Sequence, residues 1–250
     1  MPDGALKRQI YPLELNTVTG EPFLRLPPPY AHIIVTPPRD SDSTACLPIL
    51  NDPGVYKWVL GAPLPHLEHH ARAWSAHTKV NTDRAWAELV QAAKVPDGPL
   101  KITSECPVRI IREQKEDGEE VYVGDCGFFK YGFDEVTDRE EQRRLEEENI
   151  ARIPGDEAAV WSLGDYLAPS HQGQGIMTAV IRRLLDAWIV PRMGVRRVRA
   201  CVFSGNAGSR RVFEKNGFTL WKTLENHVKV EARGIFQEET RTTYVLEWCP

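Results

Sequence analysis

Between Val160 and Trp188 the hydrophobic pattern changes its period once, from two residues to about 3.6, across a turn that holds two glycines. Val160 to Leu167 is a β-rich run halted by Pro169, and Gly175 to Val190 reads as a helix whose Ile176, Val180, Leu184 and Trp188 share one face. A strand, a glycine turn and a helix in this order call for a fold that mixes both element types. Glycine lets a backbone approach a ligand closely, and the free N–H groups of a first helical turn, aided by the helix dipole, favour a phosphate. A ligand bearing a diphosphate is the natural occupant, although the same pattern also serves as a plain connection. The usual nucleotide signatures are absent: there is no GxxxxGK followed by Ser or Thr, and the glycines do not spell GxGxxG.

Residues 1–31 carry few periodic apolar positions and end in Leu26-Pro27-Pro28-Pro29-Tyr30, where successive prolines fix φ and remove donors. They are read as an N-terminal arm ahead of a single domain over 32–250. His32 to Thr36 is a short strand stopped by Pro37-Pro38, and Ser41-Asp42-Ser43 supplies N-cap residues for a helix through Leu50. Helical spacing returns in Leu67 to His77 and in Arg84 to Lys94, with Trp74 and Trp86 expected to pack inward. Val108 to Arg112 and Val121 to Phe128 alternate about the polar turn Lys115 to Gly118, which predicts a hairpin. Thr137 to Ile150 is densely charged, as in a solvated helix, and marks an insertion near 134–157. Arg197 to Phe203 is a strand, and Asn206 to Asn216 a helix closed by Gly217. Two β-runs, Phe218 to Val230 and Thr240 to Trp248, then flank Ala232-Arg233-Gly234.

Lys+Arg 31 against Asp+Glu 35 leaves a net charge of -4, so the chain lacks the basic field that nucleic acid or an anionic membrane demands, and mildly favours cationic acceptors. No apolar run approaches the roughly 20 residues of a membrane helix, and MPDGALKRQIYPLEL lacks the apolar stretch of a signal peptide. A cytoplasmic protein is predicted. Cys46, Cys106, Cys126, Cys201 and Cys249 are odd in number, scattered and never in a CxxC pair, which predicts reduced, mostly buried thiols rather than a disulfide framework or a zinc site.

Gln172-Gly173-Gln174-Gly175-Ile176-Met177 resembles the hallmark of the GNAT superfamily of acyl-CoA-dependent N-acetyltransferases: Gln or Arg, two residues, Gly, one residue, Gly or Ala. Met177 departs from the pattern, but Met-Thr here is similar to the subgroup related to ribosomal-protein N-terminal acetyltransferases. Asn206-Ala207-Gly208-Ser209-Arg210-Arg211-Val212-Phe213-Glu214-Lys215-Asn216-Gly217-Phe218 resembles that subgroup's NxxSxxVxxKxGF helix. Thr36-Pro37-Pro38-Arg39 to Asp52-Pro53 resembles its first strand and helix. The resemblance implies an α/β fold: a mixed, twisted sheet flanked by helices, whose central strands splay to admit the pantetheine arm of acetyl-CoA. It implies that backbone groups near Leu167 and Ala168 pair with that arm, that N–H groups of Gln172, Gly173, Gln174, Gly175, Ile176, Met177 and Thr178 hold the diphosphate, and that Asn206, Ser209 and Phe213 face the thioester end. The bland readings are a helix cap after Ser204-Gly205 for Asn206 and an ordinary first-turn hydroxyl for Ser209, and the spacing of the double motif favours function over them.

Acetyl transfer to an amine needs a neutral amine, a donor for the developing oxyanion and a proton for the leaving thiolate. A backbone N–H near Leu167 suits the oxyanion. Many family members place a Tyr seven residues after the helix Asn as the acid; that position here is Phe213, and the resemblance passes the role to Ser209. Glu225 and His227, on the strand after Gly217-Phe218, are candidates for the base. Asp165 and Tyr166 are further candidates, only one of which can face the slot because side chains alternate along a strand. The expected activity is acetyl-CoA-dependent N-acetylation of a primary amine, on a small molecule or a protein N-terminus, by direct transfer in a ternary complex, without metal. A catalytically silent acyl-CoA-binding protein is the alternative, and a homodimer is left open.

Overall fold

The computed structural model describes residues 4–59, 61–230 and 239–250. Helix α1 (Gly4–Ile10) and strands β1 (Glu14–Leu15) and β2 (Pro22–Arg25) precede β3 (Ile33–Thr36). Three one-turn helices follow, α2 (Asp42–Ala45), α3 (Leu47–Leu50) and α4 (Pro53–Tyr56), and then the long α5 (Glu68–Ala92). Next come β4 (Ile110–Gln114), β5 (Glu120–Lys130), α6 (Arg139–Ala151), β6 (Val160–Leu167) and α7 (Ile176–Leu184). A wider helical turn, Leu185–Ile189, joins α7 to α8 (Val190–Met193), and β7 (Arg197–Phe203), α9 (Ala207–Lys215), β8 (Thr219–Val230) and β9 (Glu239–Trp248) follow.

Among the described residues the strands make a mixed nine-stranded sheet in the order β1-β2-β3-β4-β5-β6-β7-β9-β8. Among the described residues every neighbouring pair is antiparallel except β6 and β7. Alternation along the strands sends Val35, Ile111, Val123, Leu163 and Val198 to one face, where they meet Val180, Ile181 and Leu184 of α7 and the fully buried Trp188. Each such buried side chain contributes on the order of 2 kcal/mol. Ile110, Tyr122 and Ala168 point to the opposite face, against Ile49, Leu50, Val55 and Ala71 of α3, α4 and α5. The sheet is therefore covered by helices on both sides.

Several local expectations are revised by packing. The two helical segments about residue 80 are one helix, in which the Thr78 and Thr82 hydroxyls turn back to the carbonyls of Trp74 (3.1 Å) and Lys79 (3.0 Å), and the i,i+4 pair of Lys79 with Asp83 at 2.8 Å supports the join. Trp86 packs on the core, but Trp74 is 49% exposed and instead carries the Arg109 guanidinium at 5.4 Å over its ring. The helix expected through Leu50 breaks into single turns, with Pro48 in the first turn of α3. Asp42 does not cap it: it is buried and receives Arg112 Nη2 at 2.8 Å. The N-terminal stretch is woven into the sheet, since β2 pairs with β3 and Leu24 and Leu26 are fully buried. Cys46, Cys106 and Cys126 are buried thiols, whereas Cys201 and Cys249 are exposed; all five are free. The turn Ala232-Arg233-Gly234 lies outside the described residues. Among the described residues no helix is long and apolar enough to cross a membrane.

The charged segment forms α6, capped by Asp138, whose side chain accepts from the N–H groups of Glu140 and Glu141. Its anchor is Asn149. Asn149 Nδ2 donates to the carbonyls of Tyr131 (3.1 Å) and Val160 (2.7 Å), and its Oδ1 accepts from the Val160 N–H at 2.9 Å. This buried amide seats α6 at the start of β6. Asn149→Ala leaves buried backbone groups unpaired and is expected to destabilise the fold by about 3 kcal/mol, read as a lower urea midpoint at unchanged slope.

Candidate functional site

Strands β6 and β7 are paired only at Val160–Arg197, Trp161–Val198 and Ser162–Arg199. Beyond this point β6 stays in register with β5 as far as Leu167, and β7 stays with β9 as far as Phe203, so the two strands part. The Ala168 N–H donates to Val123 O at 2.7 Å, and the Cys126 N–H turns to β4 and Arg109 O at 3.0 Å. In an antiparallel ladder this alternation aims the backbone groups of Asp165 and Leu167 away from β5, into the gap. The Leu167 carbonyl accepts Gln172 Nε2 at 2.9 Å. Its N–H, with the backbone groups of Asp165, faces the opening.

The turn after β6 is shaped by Gly173 (φ +73°) and Gly175 (φ +83°), both in the left-handed region that glycine occupies without strain. A Cβ on Gly173 would meet open space; one on Gly175 would lie 2.6 Å from Tyr30 Oη. Gly175 stands at the N-cap of α7 without a side-chain cap, and the first bond back to it comes from the Ala179 N–H (3.1 Å). The N–H groups of Ile176, Met177 and Thr178 therefore have no acceptor within the helix. The side chains of Ile176 and Met177 are buried, so those residues offer a ligand only their backbone. Gln174 Nε2 donates to Ser170 O at 2.7 Å, and Asn216 Nδ2 approaches Thr178 O at 3.3 Å, tying α7 to the end of α9.

At the far side of the gap, Asn206 caps α9: its Oδ1 accepts from the Ser209 N–H at 3.2 Å. Ser209 is half-buried, and among the described residues its hydroxyl has no recorded partner. Phe213 belongs to the core: it is 2% exposed, edge-on to Phe218 with ring centroids 5.2 Å apart, so in this conformation it offers a ligand almost no surface. Glu225 and His227 are both exposed on β8, where Glu225 accepts from Thr242 Oγ1 at 3.1 Å. An open pocket of about 350 Å³ lies at the end of β7, lined by Trp58, Ser204, Glu239, Thr240, Arg241 and Thr242. The spacing of the sequence holds no signal for this pocket, because its residues come from three distant segments.

Asp165 and Tyr166 are separated by alternation. Tyr166 faces Tyr122, hydroxyl to hydroxyl at 2.5 Å, next to the ion pair between Arg109 Nε and Asp125 Oδ1 at 2.9 Å. Burial, then the Asp125 charge, push the Tyr166 hydroxyl well above its ordinary value, so it holds its proton. Asp165 has the parity of Leu163 and Leu167, on the α7 face. Its carboxyl has no hydrogen bond or ion pair among the described residues, and burial, with a contribution from Asp125, raises it to about 7.

The profile of the acetyltransferase (GNAT) domain matches residues 32–219. The chain belongs to the GNAT family. Its domain is an acetyltransferase domain, and the resemblance of Gln172–Met177 and of the Asn206–Phe218 helix is borne out at the level of the family. A probable N-acetyltransferase of Bacillus subtilis, YjcK, is 33% identical over 76 residues, a stretch covering 30% of this chain and 40% of that relative. The fold is shared with RimL, a ribosomal L7/L12 alpha-N-protein acetyltransferase (TM-score 0.60, 13% identity, 95% of this chain and 99% of that one). It is shared too with Mycobacterium smegmatis RimJ in complex with CoA-disulfide (TM-score 0.55, 19% identity, 92% and 86%). MccE, the microcin C7 self-immunity acetyltransferase in complex with acetyl-CoA and AMP, is a third neighbour (TM-score 0.54, 12% identity, 88% and 93%).

Within this GNAT chain Asp165 is a destabilising carboxylate at neutral pH. Its folded value, near 7, lies above the ordinary carboxylate value of about 3.9, so the stability gained by keeping it neutral is full below about pH 4 and is lost as pH rises through 7. Asp165→Asn is expected to raise the melting temperature at pH 8, with the gain shrinking at pH 6 and vanishing near pH 4. Thermal denaturation at the three pH values checks this; an equal shift at all three rejects it.

Proposed function

We propose that this GNAT protein is an acetyl-CoA-dependent N-acetyltransferase that transfers the acetyl group directly to a primary amine, on a small molecule or a protein N-terminus, within a ternary complex. The observation that carries the reading is the gap between β6 and β7, which opens beside an uncapped first turn of α7. The Leu167 and Ala168 backbone would line the pantetheine arm in the manner of an added strand, with Leu167 the residue whose N–H faces it. The N–H groups along Gln172, Gly173, Gln174, Gly175, Ile176, Met177 and Thr178 would hold the diphosphate. Asn206 and Ser209 would border the thioester end, with Phe213 shaping that wall from the core.

The cosubstrate supplies an acetyl group activated as a thioester. The chain's own residues have three tasks. A backbone N–H of β6 near Leu167 donates to the thioester carbonyl oxygen as negative charge develops there. The Ser209 hydroxyl gives a proton to the departing sulfur. For the proton leaving the amine, the candidates are Glu225 and His227, exposed on β8, and Asp165, whose carboxyl has no partner among the described residues and is raised to about 7. Tyr166, proton-bearing and bonded to Tyr122, is a donor rather than a base. No metal enters this scheme. The second reading, an acyl-CoA-binding protein without turnover, draws support from Phe213, which puts a buried phenyl ring where many family members carry the acidic Tyr.

Three measurements test the reading. Acetyl-CoA at about 100 times Kd should stabilise the fold by roughly 2.7 kcal/mol, seen as a melting shift that NADH and ATP do not reproduce. Gly175→Glu should abolish binding in a folded protein, while Gly173→Ala, strained by its positive φ but meeting open space, should weaken it less; calorimetry with circular dichroism separates binding from folding. In a thiol-release assay over a panel of amines and of peptides with free N-termini, Ser209→Ala should leave acetyl-CoA affinity within a few-fold and lower turnover by about 10² to 10⁴. Acetyl-CoA binding with no transfer to any acceptor would favour the silent reading.

A further inference from the structure

The stretch before residue 32 lies outside the span that matches the GNAT domain, yet it holds the glycine turn and the helical run from α7 to α8 in three places. Arg183 Nε of α7 donates to Arg25 O at 3.2 Å, and Arg192 of α8 donates through Nη1 to Tyr11 O (2.7 Å) and through Nη2 to Gln9 O (2.5 Å). The third contact is at the turn itself: Tyr30 Oη donates to Gln174 O at 2.7 Å. Tyr30 is itself fixed, because its N–H donates to Pro27 O at 3.0 Å, its carbonyl accepts the Ile33 N–H at 2.8 Å, and its ring packs against the main core.

The peptide unit between Gln174 and Gly175 is planar and trans, so its carbonyl and its N–H point in opposite directions. A peptide followed by glycine rotates easily, since glycine accepts both signs of φ. With the carbonyl bound to Tyr30, the Gly175 N–H is turned away from the N-terminal stretch, and the plane cannot flip without losing that bond. We propose that Tyr30 is a positioning residue for the diphosphate of the acyl-CoA: by anchoring the Gln174 carbonyl, it holds the Gly175 N–H and the start of α7 in the orientation that receives the phosphates. The inference rests on the acyl-CoA reading of this turn. It also explains why residue 175 must be glycine beyond its φ, because a side chain there would strike the anchoring hydroxyl.

The test uses the whole chain and two ligands, CoA and S-acetylpantetheine, the second lacking the diphosphate. Tyr30→Phe should keep the fold and raise Kd for CoA about three- to tenfold, the effect of one lost hydrogen bond, while S-acetylpantetheine binding and kcat at saturating acetyl-CoA stay unchanged. A ligand-free readout accompanies it. The Cβ of Gly175→Ala would meet Tyr30 Oη at 2.6 Å but the ring carbon Cζ only at 3.6 Å, so this substitution should lower the melting temperature less in the Tyr30→Phe background than in the wild type. Unchanged CoA affinity in Tyr30→Phe, equal weakening of S-acetylpantetheine, or strictly additive melting shifts would each overturn the proposal. A wild-type chain that does not bind CoA would instead remove the acyl-CoA reading beneath it.

Discussion

The parting of β6 and β7 governs the rest of the molecule. Each of these strands is committed on its outer side, β6 to β5 and β7 to β9, over nearly its whole length, while their mutual pairing spans only three residues. Among the described residues it is also the one parallel contact between neighbouring strands, and twist accumulating across such a sheet pulls its two halves apart where the shared bonds end. Backbone groups on the inner edge of β6 then face an opening instead of a partner strand. Buried N–H and C=O groups require partners, so this edge demands water or a ligand able to pair with it.

The same divergence places two helix starts at one mouth. Helix α7 begins after β6 ends and α9 begins after β7 ends, both at the carboxyl ends of the two parallel strands, where α/β sheets bind ligands. One start is left uncapped at Gly175; the other is capped from within by Asn206. The difference separates a turn without a side-chain acceptor from one whose Ser209 N–H is already taken. On the opposite face of the sheet, the pairs Arg112–Asp42 and Arg109–Asp125 hold the one-turn helices and the hairpin together, with the Arg109 guanidinium occupying the space that a side chain at Gly127 would need.

Much of this was legible in the sequence because it is written in short-range pattern. The bounds of β6 and β7, the hairpin about Lys115 to Gly118, the charged helix and the α9 helix follow from periodicity, turn residues and caps lying within a few positions of one another. The glycine turn was legible for the same reason. The failures lie where contacts are remote in the chain. Trp74 has the look of a core residue but stacks on Arg109, just ahead of β4; Asp42 has the look of a cap but is taken by Arg112; Phe213, aligned with a catalytic position, is packed away against Phe218.

The sequence by itself determined the family, the order of the elements from β6 to β9 and the glycine turn before α7, because motif spacing and hydrophobic period are local properties of a chain. Only the tertiary structure decided that Tyr166 belongs with Tyr122 and Asp165 with the α7 face, that the proline-rich stretch ending in Tyr30 reaches the turn 144 residues away, and that Asp165 titrates near neutrality. Those outcomes depend on strand register, burial and the neighbours that folding brings together, and none of the three is encoded by the residues beside them in the chain.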